Sequence, residues 1–126
     1  MAKSRSEIGK SSRNKGKAGE RELAKVLRSF FPMLADDLRR TQQFCGKNNN
    51  GNSSDVVGLP GIHIECKRVE KLNIYDAINQ AVRDSSGSNN LPAVFHRKNG
   101  KEWLVTMPLK DWVKIYESSE VLTRES

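Results

Sequence analysis

Ser54-Asp55-Val56-Val57-Gly58-Leu59-Pro60-Gly61-Ile62-His63-Ile64-Glu65-Cys66-Lys67-Arg68 holds two apolar runs around a Leu-Pro-Gly turn, the pattern of a hairpin whose second arm is the longer strand. Strand side chains alternate between faces, so Ile62, Ile64 and Cys66 share one side and His63, Glu65 and Lys67 the other. Residues two apart are separated by about 6.6 to 6.8 Å along a strand, so Glu65 and Lys67 project together. Nine residues lie between Asp55 and Glu65, and the expectation is conditional: the hairpin has to bring the Asp55 carboxylate alongside. Two carboxylates and an ammonium then converge at one end of a strand pair. The plain alternative is a solvent-facing strand with a Glu65/Lys67 surface pair that contributes little.

Upstream, Leu23, Ala24, Leu27 and Phe31 recur at helical spacing, which predicts a helix from about Lys15 to Phe31 stopped by Pro32. At 100 degrees per residue Glu20 lies within about 60 degrees of those apolar positions, whereas Glu22 points about 200 degrees away from it. Glu22 is expected in solvent. Glu20 is expected at the core or its edge, where a carboxylate needs a cation or hydrogen bonds to compensate for lost water. Before this helix, Met1 to Lys17 carries Lys3, Arg5, Lys10, Arg13, Lys15 and Lys17 against Glu7 alone, a net charge of +5. With few apolar residues to bury, residues 1–14 read as a disordered basic arm, and residues 15–126 as a single domain.

A first strand is expected at Leu38 to Phe44, with Asp55 to Val57 and Ile62 to Arg68 as the next two. Between the first two strands, the Gly46 to Ser54 run is Asn-rich and aperiodic, the composition of a surface loop. Downstream, Ile74, Ala77, Ile78, Ala81 and Val82 form the apolar face of a helix over Ile74 to Ser85, with Asn73 placed to cap it. Strands at Ala93 to Arg97 and Trp103 to Met107 flank an Asn99-Gly100 turn, and a helix over Leu109 to Glu117 follows Pro108. Helix, three strands, helix, two strands and helix describe an α/β fold, a central mixed β-sheet flanked by helices.

Composition narrows the function. Lys and Arg outnumber Asp and Glu, for a formal charge of +7 and a pI near 9.7, so polyanions are the natural partners. The basic arm releases counterions from nucleic acid without choosing sequence. Apolar runs are far shorter than the roughly 20 residues a membrane span requires, and no apolar signal region opens the chain. Two cysteines without a CxxC pair indicate neither a disulfide scaffold nor structural zinc, and a reducing cytoplasm is expected.

Hard oxygen donors suit Mg²⁺, or Mn²⁺ in its place, held by Asp55 and Glu65. Such an ion polarises a phosphodiester and generates hydroxide, while Lys67 orients the water or stabilises charge on phosphorus. Cys66, sharing its face with Ile62 and Ile64, reads as a small core hydrophobe, and His63 as a surface or hydrogen-bonded histidine. Trp103 and Trp112 read as core or dimer-interface anchors. Arg39, Arg40, Lys47, Arg68 and Lys71 flank the acidic pair in sequence and are candidates to contact phosphates, together with Lys10, Arg13, Lys15 and Lys17 of the arm.

Gly16-Lys17-Ala18-Gly19-Glu20-Arg21-Glu22-Leu23, then Asp55, then Ile64-Glu65-Cys66-Lys67 resembles the PD-(D/E)XK nuclease superfamily. The resemblance is to its archaeal-type Holliday junction resolvase branch, including phage-encoded relatives, and spans roughly Lys15 to Ser85. It implies the restriction-endonuclease-like core and a Mg²⁺-dependent endonuclease of DNA recombination and repair, dimeric on four-way DNA junctions, in a prokaryotic or phage-infected cytoplasm. It also implies that Glu20 joins the active site, that Asp55 and Glu65 are the metal pair, that the Cys66 backbone carbonyl is a further ligand, and that Lys67 is the catalytic lysine. Gln80 occupies a place where some members carry a site-adjacent glutamine. Ser54 stands where the superfamily name has proline, and Cys45-Gly46 stands where the branch commonly has Ser-Gly. Two other functions remain open: a restriction, nicking or repair nuclease of the same fold, and a non-catalytic basic DNA-binding protein.

Overall fold

The computed structural model describes residues 5–41 and 54–125, with side-chain surroundings over 16–41 and 54–122. The expected strand end at Phe44, the expected loop as far as Ser53 with Lys47, and the side chains of Lys10, Arg13 and Lys15 lie outside these residues.

Helix α1 runs Arg5–Phe30 and so begins well ahead of the expected Lys15. The 5–14 stretch expected as an unstructured arm forms its first part. It contains no proline, and a helix anchored by packing at one end propagates with one hydrogen bond per added residue. The helix ends where the Phe31 N–H closes the last turn on Leu27 O at 2.8 Å, before the Pro32–Leu34 3₁₀ turn.

Strand β1 is Arg39–Arg40, β2 Val56–Val57 and β3 Ile62–Arg68. Helix α2 spans Ile74–Ser85, and the Asn73 side chain caps it by accepting from the Asp76 N–H, as its sequence predicts. Strand β4, Leu91–Arg97, starts two residues earlier than expected. β5 is Leu104–Thr106, α3 Leu109–Glu117 and an additional short helix α4 Glu120–Glu125. The five strands lie in chain order in one sheet. Every neighbouring pair is antiparallel except β3 and β4, which are parallel, as α2 crossing between them requires.

The alternation read from β3 separates two apolar layers. On one face Ile64, with Val56, Ala93 and Phe95, packs against Leu23, Ala24 and Leu27 of α1. On the other, Val94 packs against Ala77 and Ala81 of α2. His63 and Glu65 are each only 1% exposed, so the β3 face that holds them is not the solvent-facing one of the plain alternative. Trp103 joins the α1-side core, whereas Leu109 and Trp112 of α3 are exposed, with Trp112 stacked on Tyr116 at 5.2 Å.

Two glycines are dictated by contact. Gly58 has φ +105°, and a Cβ there would lie 2.2 Å from the Asp37 carbonyl oxygen. Gly19 lets α1 lie directly on β3, since a Cβ would fall 2.5 Å from Arg68 Cβ. A Cβ at Gly16, one turn earlier, would meet nothing within 4 Å. Opposite effects follow for one chemical change. Gly16→Ala is expected to stabilise the protein by about 0.5–1 kcal/mol, whereas Gly19→Ala costs about 1–3 kcal/mol through overpacking and lowers the melting temperature. Calorimetric melts of the two variants check the signs.

Candidate active site

Asp55 stands immediately before β2, where the chain leaves its pairing with β3. Its N–H donates to Ile64 O at 2.9 Å and its carbonyl accepts from the Thr41 N–H at 3.0 Å. Its carboxylate Oδ2 accepts from the Cys66 N–H at 2.8 Å. The carboxyl is thus tied to the backbone of the residue between Glu65 and Lys67. The hairpin expected from the Leu-Pro-Gly turn therefore brings the two acidic residues together.

Burial, foremost, and the neighbouring Glu65 carboxylate push the Asp55 carboxyl up to about 7, against the Cys66 N–H and Lys67, which pull it down. The Asp55 and Glu65 carboxyls lie close enough for their charges to interact, and two such carboxyls do not titrate independently. Glu20 approaches from α1. Its Oε1 accepts from Arg40 Nε at 2.9 Å. Its carboxyl is raised by burial and by Asp55, with Arg40 acting in the opposite direction. The helical-wheel expectation that Glu20 faces inward and requires a cation is therefore met.

Lys67 Nζ donates to Gln80 Oε1 at 2.9 Å, so α2 orients the ammonium and Gln80 adjoins the acidic cluster. Glu20, Asp55, Cys66, Lys67, Arg68 and Gln80 all line one cavity of about 760 Å³. Burial and nearby carboxylates push the Cys66 thiol up, so it stays protonated and is a poor nucleophile. This agrees with its expected part as a small core hydrophobe.

Several contacts differ from their sequence expectations. Glu22 is not free in solvent. It accepts from Arg68 Nε at 3.3 Å and Trp103 Nε1 at 3.1 Å, and pairs with Arg97 Nη1, because β3, β4 and the segment before β5 reach that side of α1. Arg40 and Arg68, expected to face phosphates, are engaged with Glu20 and Glu22, whereas Lys17, Arg39 and Lys71 are exposed. His63, read as a surface or hydrogen-bonded histidine, is the second of these, and it is buried. Its Nε2 lies 2.9 Å from Glu65 Oε1 and its Nδ1 3.0 Å from Ser54 Oγ. The shared face of His63 and Glu65 was legible from alternation, but α2 covering that face was not. Asp84 of α2 completes a group in which ligand atoms of His63, Glu65 and Asp84 lie within 4.8 Å of one another.

The donor set fits a divalent cation on chemical grounds. Asp55, Glu65 and Glu20 offer hard carboxylate oxygens, and Asp55 and Glu20 are raised by burial first and then by neighbouring carboxylates. Asp55 also has a consequence for folding. Between about pH 4 and pH 7 the folded chain holds more protons at Asp55 than the unfolded chain, so stability is lost as pH rises through that window. Asp55→Asn removes the charge, and is expected to raise the melting temperature of the metal-free protein at about pH 8 more than at about pH 4. A pH series of thermal melts checks this, and equal shifts at both pH values would contradict it.

No curated protein and no solved structure matches the chain. A family described as "Phage putative PDDEXK endonuclease" does match, over residues 11–125. Described helices include none long and apolar enough to cross a membrane. With its five-stranded mixed sheet flanked by helices and nearly all of its length matched, the chain belongs to this phage PDDEXK endonuclease family.

Proposed function

We propose that this protein is a Mg²⁺-dependent endodeoxyribonuclease that hydrolyses phosphodiester bonds in branched DNA, specifically in four-way Holliday junctions. The observation that carries the nuclease chemistry is that Glu20, Asp55 and Lys67 line a single cavity, with the buried Glu65 carboxylate close enough to act on both acids, in a chain of an endonuclease family. Asp55, Glu65 and Glu20, with the Cys66 backbone carbonyl, are the residues that would hold the ion. Mn²⁺ has the same preference for oxygen ligands and substitutes for Mg²⁺. When bound, a divalent ion lowers the pKa of water and polarises the phosphoryl oxygen.

The remaining work falls to the chain's own groups. Lys67, held through Gln80, sets a positive charge where negative charge builds on phosphorus. Arg40 holds Glu20 over the cavity instead of binding phosphate itself. Lys10, Arg13, Lys15 and Lys17 of α1, with Arg39, Lys47 and Lys71, draw in the DNA backbone. Arg68 contributes while also bridging to Glu22.

Junction selectivity is supported by the Gly16 to Leu23 resemblance and by the symmetry of the substrate. Paired cuts on opposed strands require two active sites, for which a homodimer with two-fold symmetry is the economical arrangement. The exposed Leu109 and Trp112 of α3 supply apolar surface for such an assembly.

The test is a gel assay on end-labelled four-way junctions and matched linear duplexes, with Mg²⁺ or EDTA, beside Glu65→Ala. Paired junction nicks that need both Mg²⁺ and Glu65 are expected. Equal cutting of duplex would move the substrate to other DNA, and salt-sensitive binding without cutting would leave a DNA-binding protein. Lys67→Ala is expected to lower turnover by about 10²–10³-fold at unchanged metal affinity. Gln80→Ala is expected to lower it by about 10-fold, as for loss of a group that orients a catalytic one. Single-turnover kinetics with calorimetric metal titration check both.

A further inference from the structure

A histidine and a glutamate buried side by side between a sheet and a helix are costly to keep. His63 and Glu65 are each 1% exposed, and well-packed apolar residues of similar volume commonly match or exceed such pairs in stability. No buried side-chain polar atom among the described residues lacks a partner, so the pair is complete without any further group.

Its geometry is a cross-link. Nε2 of His63 stands 2.9 Å from Glu65 Oε1, and Nδ1 stands 3.0 Å from the Ser54 hydroxyl. A ring that donates from one nitrogen to a carboxylate can accept at the other from a hydroxyl, so the two contacts suit one imidazole between Glu65 and Ser54. Ser54 immediately precedes Asp55, and its carbonyl is itself held by Thr41 Oγ1. The Ser54–His63–Glu65 chain therefore runs from the backbone that carries one carboxylate to the side chain of the other. One Glu65 oxygen is held by the ring, and the charge of the same carboxyl acts on Asp55.

We propose that His63 is a positioning residue: tethered by Ser54, it fixes the rotamer of Glu65 and so the spacing of the Asp55 and Glu65 carboxylates for a divalent ion. The inference rests on the nuclease reading above. Groups that hydrogen-bond a ligating side chain typically alter metal affinity or activity by about 10–100-fold when removed. The alternative within the same cluster is direct ligation by His63 with Glu65 and Asp84, whose ligand atoms lie within 4.8 Å of one another.

The experiment measures Mn²⁺ binding by calorimetry and by the loss of its free-ion electron paramagnetic signal, beside junction cleavage as a function of Mn²⁺ concentration. The proteins are wild type, His63→Leu, His63→Gln and Ser54→Ala, with folding followed by circular dichroism. His63→Leu is expected to weaken Mn²⁺ binding by about 10–100-fold, with cleavage largely recovered at saturating Mn²⁺. His63→Gln, whose amide can donate to Glu65 from a similar position, is expected to stay within about 3-fold of wild type. Ser54→Ala frees the ring without removing its contact with Glu65, and is expected to weaken binding by about 3–10-fold, below the full loss.

Unchanged Mn²⁺ affinity in folded His63→Leu would overturn the proposal. So would His63→Gln binding as poorly as His63→Leu, which would identify His63 as a ligand itself. Should His63→Leu fail to fold, an unchanged affinity in Ser54→Ala overturns the proposal. Wild-type protein that neither binds Mn²⁺ nor cuts DNA would remove the nuclease reading and this inference with it, an outcome distinct from those above.

Discussion

Negative charge is crowded into a poorly solvated corner where β2 leaves β3, and much of the molecule is organised around that crowding. Asp55 and Glu65 meet there with Glu20 close by, in surroundings where repulsion is weakly screened. Compensation comes from separate elements: Arg40 from β1, the Cys66 N–H and Lys67 from β3, and the His63 ring beside Glu65. Burial, foremost, and the Glu65 charge still push the Asp55 carboxyl up to about 7. Strongly shifted carboxyls at a cavity are typical of sites built for another charge, and membership of an endonuclease family supplies a chemical use for it.

The seat of α1 on the sheet sets the third carboxylate in place. Gly19 permits the close approach to Arg68, Leu23, Ala24 and Leu27 bury the next two turns, and Glu20 is left at the rim. Glu22 adds polar fastening by reaching Arg68, Arg97 and Trp103. Partly exposed ion pairs of this kind contribute little energy individually. Their value here is geometric, because they tie α1 to β3, β4 and the segment before β5. Helix α3, by contrast, shows Leu109 and Trp112 to solvent.

Local pattern alone determined α2 with its Asn73 cap, α3, the two hairpins and the alternation along β3, because periodicity and turn chemistry are properties of a few adjacent residues. The order Glu20, Asp55, Glu65, Lys67 was likewise readable, and so was the inward direction of Glu20. Tertiary structure decided what covers the β3 face. Alternation grouped His63 with Glu65, but α2 laid over them is what removed both from water. The wheel assigned Glu22 to solvent because it describes one helix and knows nothing of Trp103, 81 residues away in sequence. Gln80 reaching Lys67 and Arg40 reaching Glu20 span 13 and 20 residues. Such contacts depend on how separately legible elements stack, and stacking is decided by the burial of all their apolar faces together, not by any one stretch of chain.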